Sequence, residues 1–251
     1  MTMPDAPLRI AVIGNGFMGR MHTHAWRTAP RFFPLGREIV PVVLVGRRAD
    51  GAAAARDLDW PEYATDWREV VGRADIDVVD ICTPGDTHAE IALAALAAGK
   101  HVLCEKPLAN SVAEADRMVD AAATAPGVAL CGFSYRRTPA LAAARALIAD
   151  GALGEIRHVR AQYLQDWLSD PDAPHTWRLD RDRAGSGTLG DIGAHSIDTA
   201  QWLIGDDIAA VSAVLRTFVP TRPPMVTQAG IGGVAGAGER LPVTVDEVCA
   251  V

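Results

Sequence analysis

The chain has 251 residues, 49% hydrophobic and 22% charged, enough to bury the core of one large or two small domains. Its net charge of −7 and pI of about 5.5 come with no basic patch, which excludes nucleic acid as an expected partner. The longest apolar stretch, Ile91 to Ala98, is too short to span a membrane, and Met1 to Pro7 lacks the regions of a signal peptide, so a cytoplasmic protein is expected.

Leu8 to Ile13 is an apolar, β-branched run of strand length, followed at once by Gly14-Asn15-Gly16-Phe17-Met18-Gly19. A GxGxxG that leaves a predicted strand and opens a predicted helix points to a dinucleotide. Gly14 permits the tight turn, Gly16 lets the backbone approach a pyrophosphate, and Gly19 lets the helix pack on the strand. Free N–H groups of Phe17 and Met18 at the helix start, with the helix dipole, attract phosphate. The plain alternative is a glycine-rich turn with no ligand. The helix is expected to end near Thr28, with Pro30 to Arg37 as a loop.

Ile39 to Val45 reads as the second strand. NAD sites carry Asp or Glu at its end for the ribose hydroxyl, but this chain has Gly46-Arg47-Arg48. The missing carboxylate and two arginines favour a 2′-phosphate, so NADP is preferred over NAD on this ground; the alternative is that Arg47 stacks on adenine or faces water. A helix over Ala52 to Leu58, a short strand near Tyr63-Ala64, and a helix over Asp66 to Val71 follow. The third long strand is Ile76 to Cys82. The loop Thr83-Pro84-Gly85-Asp86-Thr87-His88 leaves its carboxyl end, where it would cover a cofactor, and Thr87 is placed to cap an Ala-rich helix ending at Gly99.

His101 to Cys104 is a further strand, and Glu105-Lys106-Pro107 leaves it. Pro107 forces the chain out of the strand. A lysine at the carboxyl end of a strand in an α/β sheet points into the ligand crevice, where it can donate to a substrate hydroxyl; the bland alternative is a surface lysine. Ser111 with Glu114 forms a capping box for a helix to about Ala123, and Val128 to Cys131 is the last strand. Six strands alternating with helices make a doubly wound parallel sheet over residues 1–132. The four cysteines, Cys82, Cys104, Cys131 and Cys249, form no CxxC pair, so no metal is expected. The first three lie at strand ends and read as small buried hydrophobes.

The second part, 133–251, begins around Tyr135. A helix spans Pro139 to Ala149, and Ile156 to Leu164 alternates as a longer strand. Asp166 to Arg183 is a polar loop holding Trp167 and Trp177, aromatic residues that suit a binding surface or simply pack the loop down. Gly185-Ser186-Gly187 leads into a helix from Leu189 to Leu203. That helix places Asp191 and His195 at i, i+4 on one face, an acid–base pair or a satisfied buried histidine. Ile208 to Phe218 reads as a strand, Pro220 to Gly238 as a loop, and Val243 to Val251 as a strand that stops in mid-pattern, leaving an unpaired sheet edge and the look of a truncated chain.

With GNGFMG, TPGDTH, CEKP and GDIGAH in this order, the chain resembles the Gfo/Idh/MocA family of oxidoreductases over its whole length. The resemblance implies an N-terminal Rossmann domain and a C-terminal α/β domain with a large, open, mostly antiparallel sheet, here incomplete. It implies NAD(P)-dependent oxidation or reduction of sugar or cyclitol hydroxyls, with Lys106 catalytic, Asp191 and His195 the acid–base pair, and His88 and Glu105 beside the nicotinamide ribose, while Thr83 and Pro84 belong to the loop expected to cover the cofactor. The run Tyr163 to Trp167, with Trp177-Arg178 and Ala184 to Gly187, looks like the subgroup that includes levoglucosan dehydrogenase. It makes Tyr135, Trp167, Trp177 and Arg178 candidate substrate contacts, and it favours NAD, against the arginine argument. A homo-oligomer would follow from a complete C-terminal sheet. Two other readings stay open: a cofactor-binding protein without catalysis, and a lyase or hydrolase that retains bound NAD.

Overall fold

The structure is a computed structural model and describes residues 6–47, 51–230 and 232–251. The chain divides into two compact units, Met1–Gly132 and Phe133–Val251.

The first unit contains β1 (Leu8–Ile13), α1 (Phe17–Phe32), β2 (Ile39–Val45), α2 (Gly51–Asp57), β3 (Glu62–Ala64), α3 (Arg68–Val71), β4 (Val78–Ile81), α4 (His88–Ala97), β5 (His101–Cys104), α5 (Val112–Thr124) and β6 (Ala129–Cys131). The strands form one parallel sheet in the order β3-β2-β1-β4-β5-β6. Both faces are covered, which is why the strands read as unbroken apolar runs. On β1, Ile10 and Val12 face a cluster with Leu44, Ala55, Trp60 and Val78. Ala11 and Ile13 face the other way, against a cluster with Val79, Ile81, Ile91, Leu96 and Met118. Each such side chain contributes roughly 1.5–3 kcal/mol on burial.

The details at Pro30 and at Thr87 differ from the sequence reading, and Pro41 is accommodated within β2, which stands where it was expected. α1 runs on through Pro30 to Phe32, because proline's fixed φ suits the helix and only one backbone hydrogen bond is lost near its end; the N–H of Phe33 then closes on the Ala29 carbonyl at 2.9 Å. Pro41 lies inside β2, and the register slips beside it, from Ile10↔Pro41 to Ala11↔Val43, so the missing N–H is absorbed by a bulge. Thr87 stands at the start of α4 without capping it: its hydroxyl turns back to the Thr83 hydroxyl at 2.7 Å and the Pro84 carbonyl at 2.8 Å. Ser111 does cap α5, accepting from the Glu114 N–H at 3.3 Å, while the Glu114 carboxylate takes the Ser111 hydroxyl at 2.9 Å instead of reaching a backbone N–H. Cys82 and Cys104 are buried; Cys131 is only partly so.

The second unit contains α6 (Pro139–Ala149), α7 (Arg181–Ala184), a π turn over Leu189–Gly193, α8 (Ala194–Ile204), β7 (Val214–Arg216), β8 (Thr221–Arg222), β9 (Met225–Ala229), β10 (Gly232–Ala235), β11 (Leu241–Pro242) and β12 (Val248–Ala250). The strands are antiparallel, as expected, but in three separate pairs, β7 with β12, β8 with β11 and β9 with β10. The expected strand over Ile156 to Leu164 is absent: among the described residues no other stretch pairs with it, and alternation alone does not hold a strand. For the same reason the strand expected over Ile208 to Phe218 shrinks to β7, and Val243 to Val251 is strand only at its end. The expected loop from Pro220 instead carries β8 and the hairpin β9–β10, which turns at Gly230 with φ +60°.

Long-range polar ties organise this unit. The Arg222 side chain, fully buried, donates to the carbonyls of Leu168 at 2.8 Å and Asp170 at 2.7 Å and pairs with Glu247 at 2.7 Å. The Asp246 carboxylate accepts from the Gly187 and Leu189 N–H groups at 2.9 and 2.7 Å. A Cβ on Gly187 would lie 1.9 Å from the Asp246 carbonyl oxygen, so only glycine lets these two segments meet. Among the described residues, no helix is long and apolar enough to cross a membrane.

Candidate active site

In the first unit the loops that leave β1, β2, β4 and β5 gather at the carboxyl edge of the sheet, where the strand order reverses between β1 and its two neighbours. Gly14 has φ +111°, and a Cβ there would lie 2.6 Å from the Cys82 carbonyl oxygen. A Cβ on Gly19 would lie 1.8 Å from the Gly14 carbonyl oxygen, so the helix can approach the turn only as glycine. A Cβ on Gly16 would meet nothing within 4 Å. The backbone there is open, α1 has no side-chain cap and no acidic residue in its first turn, and the Phe17 and Met18 N–H groups are left for an anion. This loop fits a dinucleotide pyrophosphate.

At the end of β2, Gly46 is buried and a Cβ on it would lie 2.7 Å from both the Asn15 side chain and the Tyr63 hydroxyl, so the place where an acidic residue would begin is filled. Arg47 is exposed; Arg48 lies outside the described residues.

Beyond β4, Thr83 and Pro84 stay half-buried. His88 is 1% exposed, its two ring nitrogens 2.8 Å from the carbonyl oxygens of Thr83 and Pro107. It therefore ties the Thr-Pro-Gly loop to the Glu-Lys-Pro loop from beneath. Glu105 is also buried: Oε1 lies 3.0 Å from His22 Nε2, and Oε2 accepts the Lys106 N–H at 3.2 Å. His22 Nδ1 in turn lies 2.9 Å from both oxygens of Asp80, which also accepts from Trp26 Nε1 at 2.6 Å. Lys106 itself is half-buried at the mouth of the loop.

Sequence reasoning missed this cluster of His22, Asp80 and Glu105. One signal was present: Asp80 sits in mid-strand in Val78-Val79-Asp80-Ile81, and a carboxylate in a strand buried on both faces requires partners. Among the described residues, His22, Asp80 and Cys82 are also the one set spaced to hold a metal ion, but both His22 nitrogens already face carboxylates.

In the second unit His195, buried on the first turn of α8, stacks on Tyr135 with ring centroids 4.3 Å apart, meets Phe133 edge-on at 6.1 Å and lies tilted to Tyr163 at 6.4 Å. The hydroxyls of Tyr135 and Tyr163 lie 2.8 Å apart. Burial, then the bond to Tyr163 and the nearby Asp191 charge, push the Tyr135 phenol up to about 12. Tyr163 belongs to the site cluster although it entered the sequence reading only as part of a motif.

Asp191 lies in the π turn that runs directly into α8, whose first turn carries His195. Its charged neighbour is Arg178, with Nε 3.8 Å from Oδ2, a salt-bridge distance too long for a hydrogen bond. Burial lowers the Arg178 pKa and Asp191 opposes this. Arg178 also lies over the Trp177 ring at 4.6 Å. Asp198, one turn further along α8, accepts from the Arg136 guanidinium. Trp167 is half-buried in the loop that Arg222 holds.

A family model described as "Oxidoreductase family, NAD-binding Rossmann fold" matches residues 8–133, and the Gfo/Idh/MocA C-terminal domain matches residues 141–251. The chain is 45% identical over 244 residues to levoglucosan dehydrogenase of Pseudarthrobacter phenanthrenivorans, covering 96% of this chain and 62% of that protein. Its fold superimposes on an oxidoreductase domain protein from Kribbella flavida with a TM-score of 0.90 and 56% identity, over 97% of this chain and 63% of the other. On a levoglucosan dehydrogenase in complex with NADH and levoglucosan the TM-score is 0.89, with 42% identity over 97% of this chain and 62% of the other. This chain thus spans a little under two thirds of the length of these relatives. The chain belongs to the Gfo/Idh/MocA family of oxidoreductases.

Proposed function

We propose that the chain is an NAD(P)-dependent dehydrogenase that oxidises a hydroxyl of a sugar or cyclitol to a ketone, reversibly. The observation that carries this reading is the glycine loop: an open backbone at Gly16 before the uncapped start of α1, at the reversal point of a parallel sheet. When bound there, the nicotinamide supplies the acceptor for the hydride.

The chain's own residues hold the cofactor and manage the proton. Gly14, Gly16 and Gly19 shape the loop, and Phe17 and Met18 present N–H groups to the pyrophosphate. Thr83 and Pro84 flank the cofactor; His88 and Glu105 act from below by fixing the loops. Lys106 donates to the hydroxyl oxygen and stabilises the negative charge that develops on it. His195 takes the hydroxyl proton, with Asp191 as the nearby negative charge. Tyr135, Trp167, Trp177 and Arg178 contact the sugar, the aromatic rings covering its C–H faces. The cofactor is NAD or NADP: the arginine at 47 supports NADP, and the NADH complex of the similar enzyme supports NAD. That enzyme's name makes levoglucosan the first substrate to try. The reading places the enzyme in the cytoplasm.

The test is a fluorescence titration with NADH and with NADPH, followed by reduction of the preferred cofactor in the presence of levoglucosan. Lys106→Ala is expected to lower turnover by about a hundredfold or more, in the range for a lost proton-handling group, with cofactor affinity nearly unchanged. Equal turnover in mutant and wild type removes Lys106 from the mechanism.

A further inference from the structure

Asp80 is fully buried in the middle of β4, where a lone carboxylate is costly. Its partners come from α1: His22 Nδ1, 2.9 Å from both oxygens, and Trp26 Nε1 at 2.6 Å. The other nitrogen of His22 lies 3.0 Å from Glu105 Oε1. Both ring nitrogens face carboxylate oxygens, so both carry a proton when the two bonds form. The charged groups facing the ring are Asp80 on β4 and Glu105 after β5; the Cys82 thiol contacts Asp80 at 3.6 Å. Burial works against the imidazolium, but the bonds to Asp80 and Glu105 outweigh it and raise the His22 pKa to about 10.

The network continues one bond further. Glu105 Oε2 accepts the N–H of Lys106 at 3.2 Å. A Cβ on Gly132 would lie 2.7 Å from Glu105 Oε1, so the chain beyond β6 closes on the same carboxylate and leaves it little room. The line Asp80–His22–Glu105 therefore ends on the backbone of the lysine.

We propose that His22 is a positioning residue for Lys106: it clamps Glu105 against Asp80, and Glu105 fixes the Lys106 backbone from which the amine reaches its target. The proposal rests on the reading of Lys106 as the residue that meets the hydroxyl. A displacement of about 1 Å at such a group is enough to cost roughly a hundredfold in rate.

Two substitutions separate positioning from plain charge burial. Asparagine places its amide near Nδ1 and keeps a donor towards Asp80; glutamine places it near Nε2 and keeps a donor towards Glu105. Both lose the charge. Amide hydrogen exchange at Lys106 in the full chain reads the loop without any turnover. It is expected to be about tenfold or more faster in His22→Asn than in wild type, and within about threefold of wild type in His22→Gln, as local opening increases. With levoglucosan and the preferred cofactor, kcat follows the same order while KM for the cofactor stays within about twofold. Unchanged Lys106 exchange in His22→Asn, or equal acceleration in both variants, overturns the proposal. If His22→Asn fails to fold, Glu105→Gln gives the same readout one bond closer, since its single oxygen cannot serve both donors: faster Lys106 exchange supports the proposal, and unchanged exchange overturns it. Should Lys106→Ala keep full turnover, the functional reading falls alone, because the exchange result still decides whether His22 sets the loop.

Discussion

Each unit buries a cluster of charges, and these two clusters are built from different chemistry. In the first, an imidazolium is held between two carboxylates, Asp80 and Glu105, and the cluster ends on the lysine loop. In the second, the Arg222 guanidinium is held by Glu247 and by the carbonyls of Leu168 and Asp170, and it fixes the stretch that follows Trp167. Histidine can lose its proton in an accessible pH range and arginine cannot. The difference teaches that the first unit's stability is tied to pH through its clamp above neutral pH. Burial by itself does not say which clamp is worth more, because desolvation offsets the attraction in both.

The largest effect should come from breaking the second clamp. Glu247→Ala leaves Arg222 buried with its charge unmatched and removes the acceptor that takes the Phe218 and Val219 N–H groups at 2.7 Å. Loss of one partner from such a pair costs about 3–5 kcal/mol. Chemical denaturation should show that loss at pH 6 and at pH 9 alike, and NADH binding, assigned to the glycine loop of the other unit, should persist below the transition. A loss that changes strongly with pH would break the comparison.

The pH dependence comes next. The His22 pKa is raised from 6.5 to about 10 in the folded state. Its stabilisation is therefore fully present below pH 6.5 and is lost as pH rises towards 10, because over that range the unfolded state has already released the proton that the folded state must still hold. The buried thiols of Cys82 and Cys104, also pushed up from about 9, add their own loss only above pH 9. Between 6.5 and 9 the fall in midpoint temperature should thus belong largely to His22 and should flatten in His22→Gln. A wild-type profile already flat over that range would show that the ring is not held as an imidazolium.

The same contrast explains what could be read from the sequence. The parallel sheet, the glycine loop and the limits of α6 follow from patterns within a few residues, and they stand where the pattern puts them. Pro30 and Pro41 show how far such rules bend: one is carried by a helix near its end, the other by a bulge. The second unit was less legible because two of its three strand pairs form across 19 to 36 positions, β8 with β11 and β7 with β12. Ile156 to Leu164 alternates as well as any strand and pairs with nothing described. The site divides the same way. Lys106 and the glycines are announced by their neighbours in sequence, whereas His22 meets Asp80 across 58 positions and Glu105 across 83. Only the charge inside an apolar strand hinted that a partner had to come from elsewhere.

The smallest effect sets the scale for this distinction. Ser111 caps α5 by a contact three residues long, and it was visible as a Ser-x-x-Glu pattern. The bond it accepts is long at 3.3 Å, and its partner Glu114 binds the hydroxyl rather than a second backbone donor, so one orphan N–H is served where a complete box serves two. Ser111→Ala should therefore cost about 0.5–1 kcal/mol, towards the low end for a lost cap, and Ser111→Gly less. Denaturation of the first unit, with no change at the Lys106 amide, is the measurement. If the alanine variant lost as much as Glu247→Ala, local contacts would rival the buried clamps, and the separation between what the sequence announces and what holds the units together would disappear.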